Sequence, residues 1–351
     1  MEPAGSASAW LDPEAFDPEA GEAKAGEPKQ LFQGFLPAST RVQFYTADFT
    51  PDGRYLVLGI GDEHGMVLLE LEGERYVERQ ADLSGHTEPI WSVAFHPTEL
   101  LLASGASWPN RRSERAVRLW SIPDGKQVGA ALKVGSANID TLAWSPNGEL
   151  LAAGTEAGVF VIWRVGAGGS EVEALARNDD VQGVRALAFA PDSSSLLVGH
   201  DESWERVDLD GAVIDSGQQG ATALAAMRDG GFIAGSDHCA VVRFDAAGEA
   251  LWRTEVLDDH SRYLSHRNQV DVLVVDAVHG EVLVGHDERP MLRYLDLDTG
   301  AEVRPTTQLP KDDVESQFGP QHDFVQAALR TPDGVVTVLE QNGNLTRMWF
   351  P

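Results

Sequence analysis

Apolar and polar positions along this chain alternate in short runs, and the runs come in groups. Val42–Phe49, Tyr55–Ile60, Gly65–Leu71 and Arg75–Ala81 carry the two-residue alternation and β-branched content of strands. Between the first and second run of each group lies a turn of the Pro/Asp/Gly type. The first four are Thr50-Pro51-Asp52-Gly53, His96-Pro97-Thr98, Ser145-Pro146-Asn147-Gly148 and Ala190-Pro191-Asp192. Arg228-Asp229-Gly230, Ala277-Val278-His279-Gly280 and Thr331-Pro332-Asp333-Gly334 complete the set. The turns recur every 37 to 54 residues, the period of a four-stranded sheet repeated as a unit. A unit that cannot bury its own faces must stack on its neighbours, so seven units predict one closed assembly.

The predicted units span 42–81, 90–132, 139–176, 184–216, 221–254, 270–307 and 324–350. The seventh has only Phe324–Leu329, Val335–Leu339 and Leu345–Phe350, one strand short. An open third strand would leave a row of unpaired backbone groups. Leu31–Leu36 precedes the first unit and belongs to none, so it is expected to supply the missing strand and join first to last. Residues 1–30 are rich in Ala, Gly, Glu and Pro, with Trp10, Leu11 and Phe16 as the only large apolar side chains. They read as a mobile acidic tail.

The second unit carries a recognisable signature. Gly85-His86 precedes Ile90-Trp91-Ser92-Val93-Ala94-Phe95-His96-Pro97, Leu102-Ala103-Ser104-Gly105 lies in the second strand, and Val117-Arg118-Leu119-Trp120 forms the third. Variants recur in Leu142-Ala143-Trp144-Ser145-Pro146-Asn147-Gly148 with Val161-Ile162-Trp163, and in Leu187-Ala188-Phe189-Ala190-Pro191-Asp192. This resembles the WD-repeat β-propeller family over about residues 31–350. The resemblance implies an all-β fold: a single seven-bladed propeller with four antiparallel strands per blade. It also implies that His86, Ser104 and Trp120 form a structural hydrogen-bonded set. The Asp that completes the set elsewhere in the family is displaced here by the insertion at 106–115.

Composition narrows the function classes. Fifty-five acids against 27 bases give a formal charge of -28, which repels phosphate backbones and anionic lipid. Neither nucleic acid nor a membrane is therefore an expected partner, and no run approaches the roughly 20 apolar residues of a membrane span. No positive region followed by an apolar core marks the N-terminus, so no secretory signal is predicted. Cys239 is the only cysteine, which fits a reducing, cytoplasmic setting and rules out an internal disulfide.

The resemblance puts the loops between second and third strands, and those between blades, on one upper face. That face carries the long insertions 106–115, 257–268 and 308–323. Trp108, Arg111, Arg112 and Arg115 gather bases and an aromatic in one loop of an otherwise acidic protein, and Arg262, Tyr263, His266 and Arg267 repeat the theme. Such side chains are enriched in binding hot spots, although local acids such as Glu114, Asp258 and Asp259 offer them neutralising partners. Gly199-His200-Asp201-Glu202 and Gly285-His286-Asp287-Glu288 place imidazoles and carboxylates at second-strand exits. His200, Asp201, His286 and Asp287 are thus candidate metal or ligand residues, and equally good tight-turn residues. The sequence reading favours a non-enzymatic protein-interaction scaffold, with no cofactor and a protein or peptide partner of basic or mixed charge. A metal-binding or hydrolytic propeller enzyme using the His/Asp residues is the alternative.

Overall fold

The computed structural model describes residues 29–36, 44–60, 65–73, 75–106, 116–135, 138–179, 182–236, 240–256, 270–276, 279–286, 291–308, 325–330, 335–340 and 344–349. Its strands form seven four-stranded sheets, each antiparallel throughout. The first blade runs Phe44–Phe49, Tyr55–Ile60, Met66–Glu72 and Arg75–Arg79, from the inner strand outwards. The second uses Ile90–Phe95, Leu101–Ala106, Ala116–Ser121 and Lys126–Lys133, and the third Ile139–Trp144, Leu150–Thr155, Phe160–Val165 and Val172–Asn178. Blades four, five and six begin with Ala186–Phe189, Ala223–Ala226 and Val270–Asp276. The inner strands contact one another in chain order and the last returns to the first, closing a ring.

The seventh blade is completed from the other end of the chain. Lys29–Phe35 pairs antiparallel with Asn344–Trp349, with Lys29 opposite Trp349 and Phe35 opposite Asn344. The closing strand thus begins two residues before the expected Leu31. Leu36, just beyond it, is buried against Phe44, Leu58 and Tyr76 of the first blade and Leu339 and Leu345 of the seventh. Among the described residues there is no α-helix, and no helix is long and apolar enough to cross a membrane.

Apolar packing lies between blades rather than within them. Seven buried clusters occur, and each straddles two neighbours. Between blades one and two, Val57 and Leu68 meet Ile90, Phe95 and Trp120; between two and three, Ala103 and Leu119 meet Ile139, Leu151 and Trp163. Second strands are covered on both faces, so Leu101–Ala106 and Leu150–Thr155 are buried at every residue and read as continuous small or apolar runs. Two of the turns predicted from Pro/Asp/Gly patterns are built by their own side chains. Thr50 Oγ1 donates to Asp52 at 2.6 Å and accepts the Tyr55 amide at 2.9 Å, and Ser145 repeats this with Asn147 and Leu150.

Arginines on the third strands tie blades together. Arg243 of blade five, 8% exposed, donates to the Leu297 carbonyl and to Asp298 in a turn of blade six, both at 2.7 Å, and to Asp229 at 2.8 Å. Arg206 of blade four reaches the Ala246 and Gly230 carbonyls in turns of blade five. Apart from Asp229, which lies in a turn of Arg243's own blade, these partners sit in turns of the next blade.

Candidate functional site

One residue near the start of each inner strand escapes the regular ladder. In five blades the register skips a residue there: Tyr45, Trp91, Asp140, Asp271 and Gln326. In blades four and five Arg185 and Thr222 hold the corresponding place just before the strand. Their amides donate to the Gly199 and Gly235 carbonyls at 2.8 and 2.7 Å. A bulge re-aims its side chain, and Tyr45, Trp91 and Asp140 at their bulges share this place, at one end of the ring, with Arg185 and Thr222. Arg185 and Thr222 line the central cavity, a space of about 300 Å³ bounded by inner-strand residues of six blades, among them Asp48, Thr141, Val272 and Ala328.

The upper rim of the ring, where the inner strands begin, is chemically uneven. Tyr45 and Trp91 stack with ring centroids 4.5 Å apart and planes 29° from parallel, and Trp91 stays 36% exposed. The next blade contributes Asp140, whose carboxylate has no hydrogen bond or ion pair among the described residues. Burial pushes Asp140 up to about 7; the nearby Glu156 carboxylate adds to the rise and Arg185 opposes it. Glu156 accepts from the Asn138 amide at 2.7 Å. Arg185 is held by Asp201 through two bonds of 2.7 and 3.0 Å, and this pairing raises its own pKa. Lower in the shaft, Asp48 accepts the Phe49 amide at 2.9 Å and the Phe95 amide of blade two at 2.7 Å. Burial outweighs both bonds and pushes it up to about 7.

The residues singled out from sequence meet different fates. His86, Ser104 and Trp120 come together: Ser104 Oγ stands 2.7 Å from His86 Nε2 and accepts Trp120 Nε1–H at 2.7 Å. Ser104 and Trp120 are fully buried and His86 nearly so, which makes the set structural. His200 and Asp201, adjacent in sequence, part ways. Asp201 sits at the mouth on Arg185, whereas His200 is 1% exposed and donates from Nδ1 to the Gly183 carbonyl at 3.1 Å. His286 ends a second strand, with its backbone opposite Val270. Asp287 lies outside the described residues, as do Trp108, Arg111, Arg112 and Arg115 of one loop and Arg262, Tyr263, His266 and Arg267 of the other. Among the described residues no three His, Cys, Asp or Glu side chains converge on a metal-sized site.

Sequence reasoning missed Tyr45, Trp91, Asp140, Arg185, Thr222 and Asp48. The signal lies in the alternation itself. In Phe44-Tyr45-Thr46, Ile90-Trp91-Ser92 and Ile139-Asp140-Thr141, a buried residue precedes the bulge and a ladder residue follows it. Aligning the repeats on that step collects the mouth residues in one column.

The family model for the WD domain, G-beta repeat, matches residues 77–121 and 129–164. The first match includes His86, Ser104 and Trp120, and takes in the end of the outer strand of blade one and the first three strands of blade two. The chain is similar to a periodic tryptophan protein 2 homolog of Neurospora crassa, 27% identical over 184 residues, covering 48% of this chain and 19% of that protein. It is also similar to Elongator complex protein 2 of Schizosaccharomyces pombe, 32% identical over 126 residues, covering 34% of this chain and 16% of that protein. The matched region thus spans a fifth or less of these relatives' length. Among solved structures, the WD40 β-propeller domain of Doa1 superposes with a TM-score of 0.68 at 12% identity, over 92% of this chain and 97% of that one. Two stretches of the chain thus match the WD40 repeat, and its seven-bladed ring has the fold of a WD40 β-propeller.

Proposed function

We propose that this chain is a non-enzymatic interaction scaffold that presents its upper rim and central mouth to a protein or peptide. The observation that carries this reading is the repeated bulge. It holds Tyr45, Trp91 and Asp140, with Arg185 and Thr222 at the corresponding places of blades four and five, at one end of the ring on strands locked by packing between blades. A rigid frame carrying unlike side chains recognises a partner with little ordering cost on its own side. The relatives support it in their names: one is a component of the Elongator complex, another a telomerase protein component. The formal charge of -28 favours a partner of basic or mixed charge and disfavours nucleic acid and anionic membranes. A cytosolic setting fits the single cysteine and the relative named as a probable cytosolic iron-sulfur protein assembly protein.

Photo-crosslinkers placed in turn at Asn138 and Thr222 on the upper side, and at Asp192 and Ala247 in the lower turns, test the orientation. The expected result is a partner crosslinked from the upper positions only. A partner joined through the lower turns overturns the reading. The same capture with Trp108, Arg111, Arg112 and Arg115 replaced by Ala asks whether the basic loop contributes; reduced recovery of that partner is expected.

A further inference from the structure

From the juxtaposition of the Tyr45/Trp91 aromatic stack and the unpaired Asp140 carboxylate at neighbouring bulge positions, we infer that the mouth receives an arginine side chain of the partner. This deepens the scaffold reading and rests on it.

Three observations converge. First, Trp91 and Asp140 flank a direct contact between their strands, because Ser92 Oγ donates to the Ile139 carbonyl at 3.1 Å. An aromatic face and a carboxylate are thereby brought to one stretch of rim. Second, no cation among the described residues pairs directly with Asp140, and Arg185 acts on it only at longer range. Arg185 is committed to Asp201 by a two-pronged pair, and Glu156, the other nearby carboxylate, is satisfied only by the neutral Asn138. Third, Trp91 is among the few large apolar side chains left exposed on the described surface, although stacking on Tyr45 has already fixed its ring.

An aromatic platform beside a carboxylate selects a cation. Of the two cationic side chains, guanidinium suits this pair better. Its flat face lies on an indole while its edge presents parallel N–H groups to a carboxylate, whereas an ammonium offers only a point charge. Charge complementarity with a protein of net charge -28 acts in the same direction.

The test uses the full-length protein and a capped Gly-Ala-Arg-Ala-Gly peptide, with citrulline and lysine in place of arginine as controls. Binding is followed through the indole N–H signals of the nine tryptophans. The Trp91 signal is the one lost in Trp91→Ala. The arginine peptide is expected to move that signal saturably and to bind at least ten-fold more tightly than the citrulline peptide. Asp140→Asn is expected to remove most of this preference while leaving the weak citrulline binding in place. Both side chains are partly exposed, and an unchanged melting temperature for each variant excludes a folding defect. Equal affinity for arginine and citrulline, equal affinity for arginine and lysine, or no effect of Asp140→Asn each overturns the inference. Upper-rim crosslinks to a partner alongside a failed arginine titration sink this assignment alone; crosslinks from the lower turns sink the scaffold reading as well.

Discussion

Ser104 satisfies two buried rings at once and is itself fully buried. Replacing it with Ala leaves His86 Nε2 and Trp120 Nε1 without their partner in a site that is fully buried at Ser104 and Trp120. Stranding a buried polar group costs about 1–3 kcal/mol, so Ser104→Ala is expected to destabilise by that amount or more in denaturant unfolding. A change below about 0.5 kcal/mol would show that the set is not cohesive. This trio was readable in the sequence because its members fall in one contiguous signature between Gly85 and Trp120. His200 was not. A histidine followed by Asp at a strand exit looks like a rim residue, yet it occupies the ladder place held by Ile60, Ala106 and Thr155 in the first three blades, which is interior. Asp140 escaped notice for the opposite reason. A bulge shifts the alternation by one, so a residue expected on the covered face emerges at the mouth.

Each of the first six blades places a glycine in its second strand opposite the residue that follows the bulge: Gly59, Gly105, Gly154, Gly199, Gly235 and Gly285. At five of them the close approach of the next blade explains the choice. A Cβ at Gly105 would lie 2.5 Å from both Ile139 Cγ2 and Ser92 Oγ, and one at Gly154 would lie 2.3 Å from Val184 Cγ1. Gly105→Ala is therefore expected to destabilise by about 1–3 kcal/mol through forced separation of blades two and three. Ile139→Ala, which removes the Cγ2 that the new methyl would strike, should make the added cost of Gly105→Ala smaller in that background; an unchanged cost would place the strain elsewhere. The seventh blade breaks the pattern with Leu339, where Leu36 and Phe44 pack instead. Strand content and turn positions were legible because each depends on a few neighbouring residues. The glycine column was visible as letters but not as a reason, since the atoms that demand it come from the next blade.

The whole ring depends on residues that the repeat count leaves over. Removal of residues 1–36 exposes the edge of Asn344–Trp349 and deletes Leu36 from the cluster shared by blades one and seven. A cost of at least about 3 kcal/mol is expected, against less than about 1 kcal/mol for removal of residues 1–25. Matching melting curves for the two truncations would refute closure as a source of stability. Lys29 and Trp349 are paired although 320 positions apart. During folding Lys29–Phe35 must therefore wait for Asn344–Trp349, and until they meet each has an unsatisfied edge. Two chains caught in that interval can trade the strand, so that one molecule's Lys29–Phe35 completes the other's last blade at no loss of native pairing. Crowded refolding should consequently yield exchanged dimers whose blades are indistinguishable from those of the monomer.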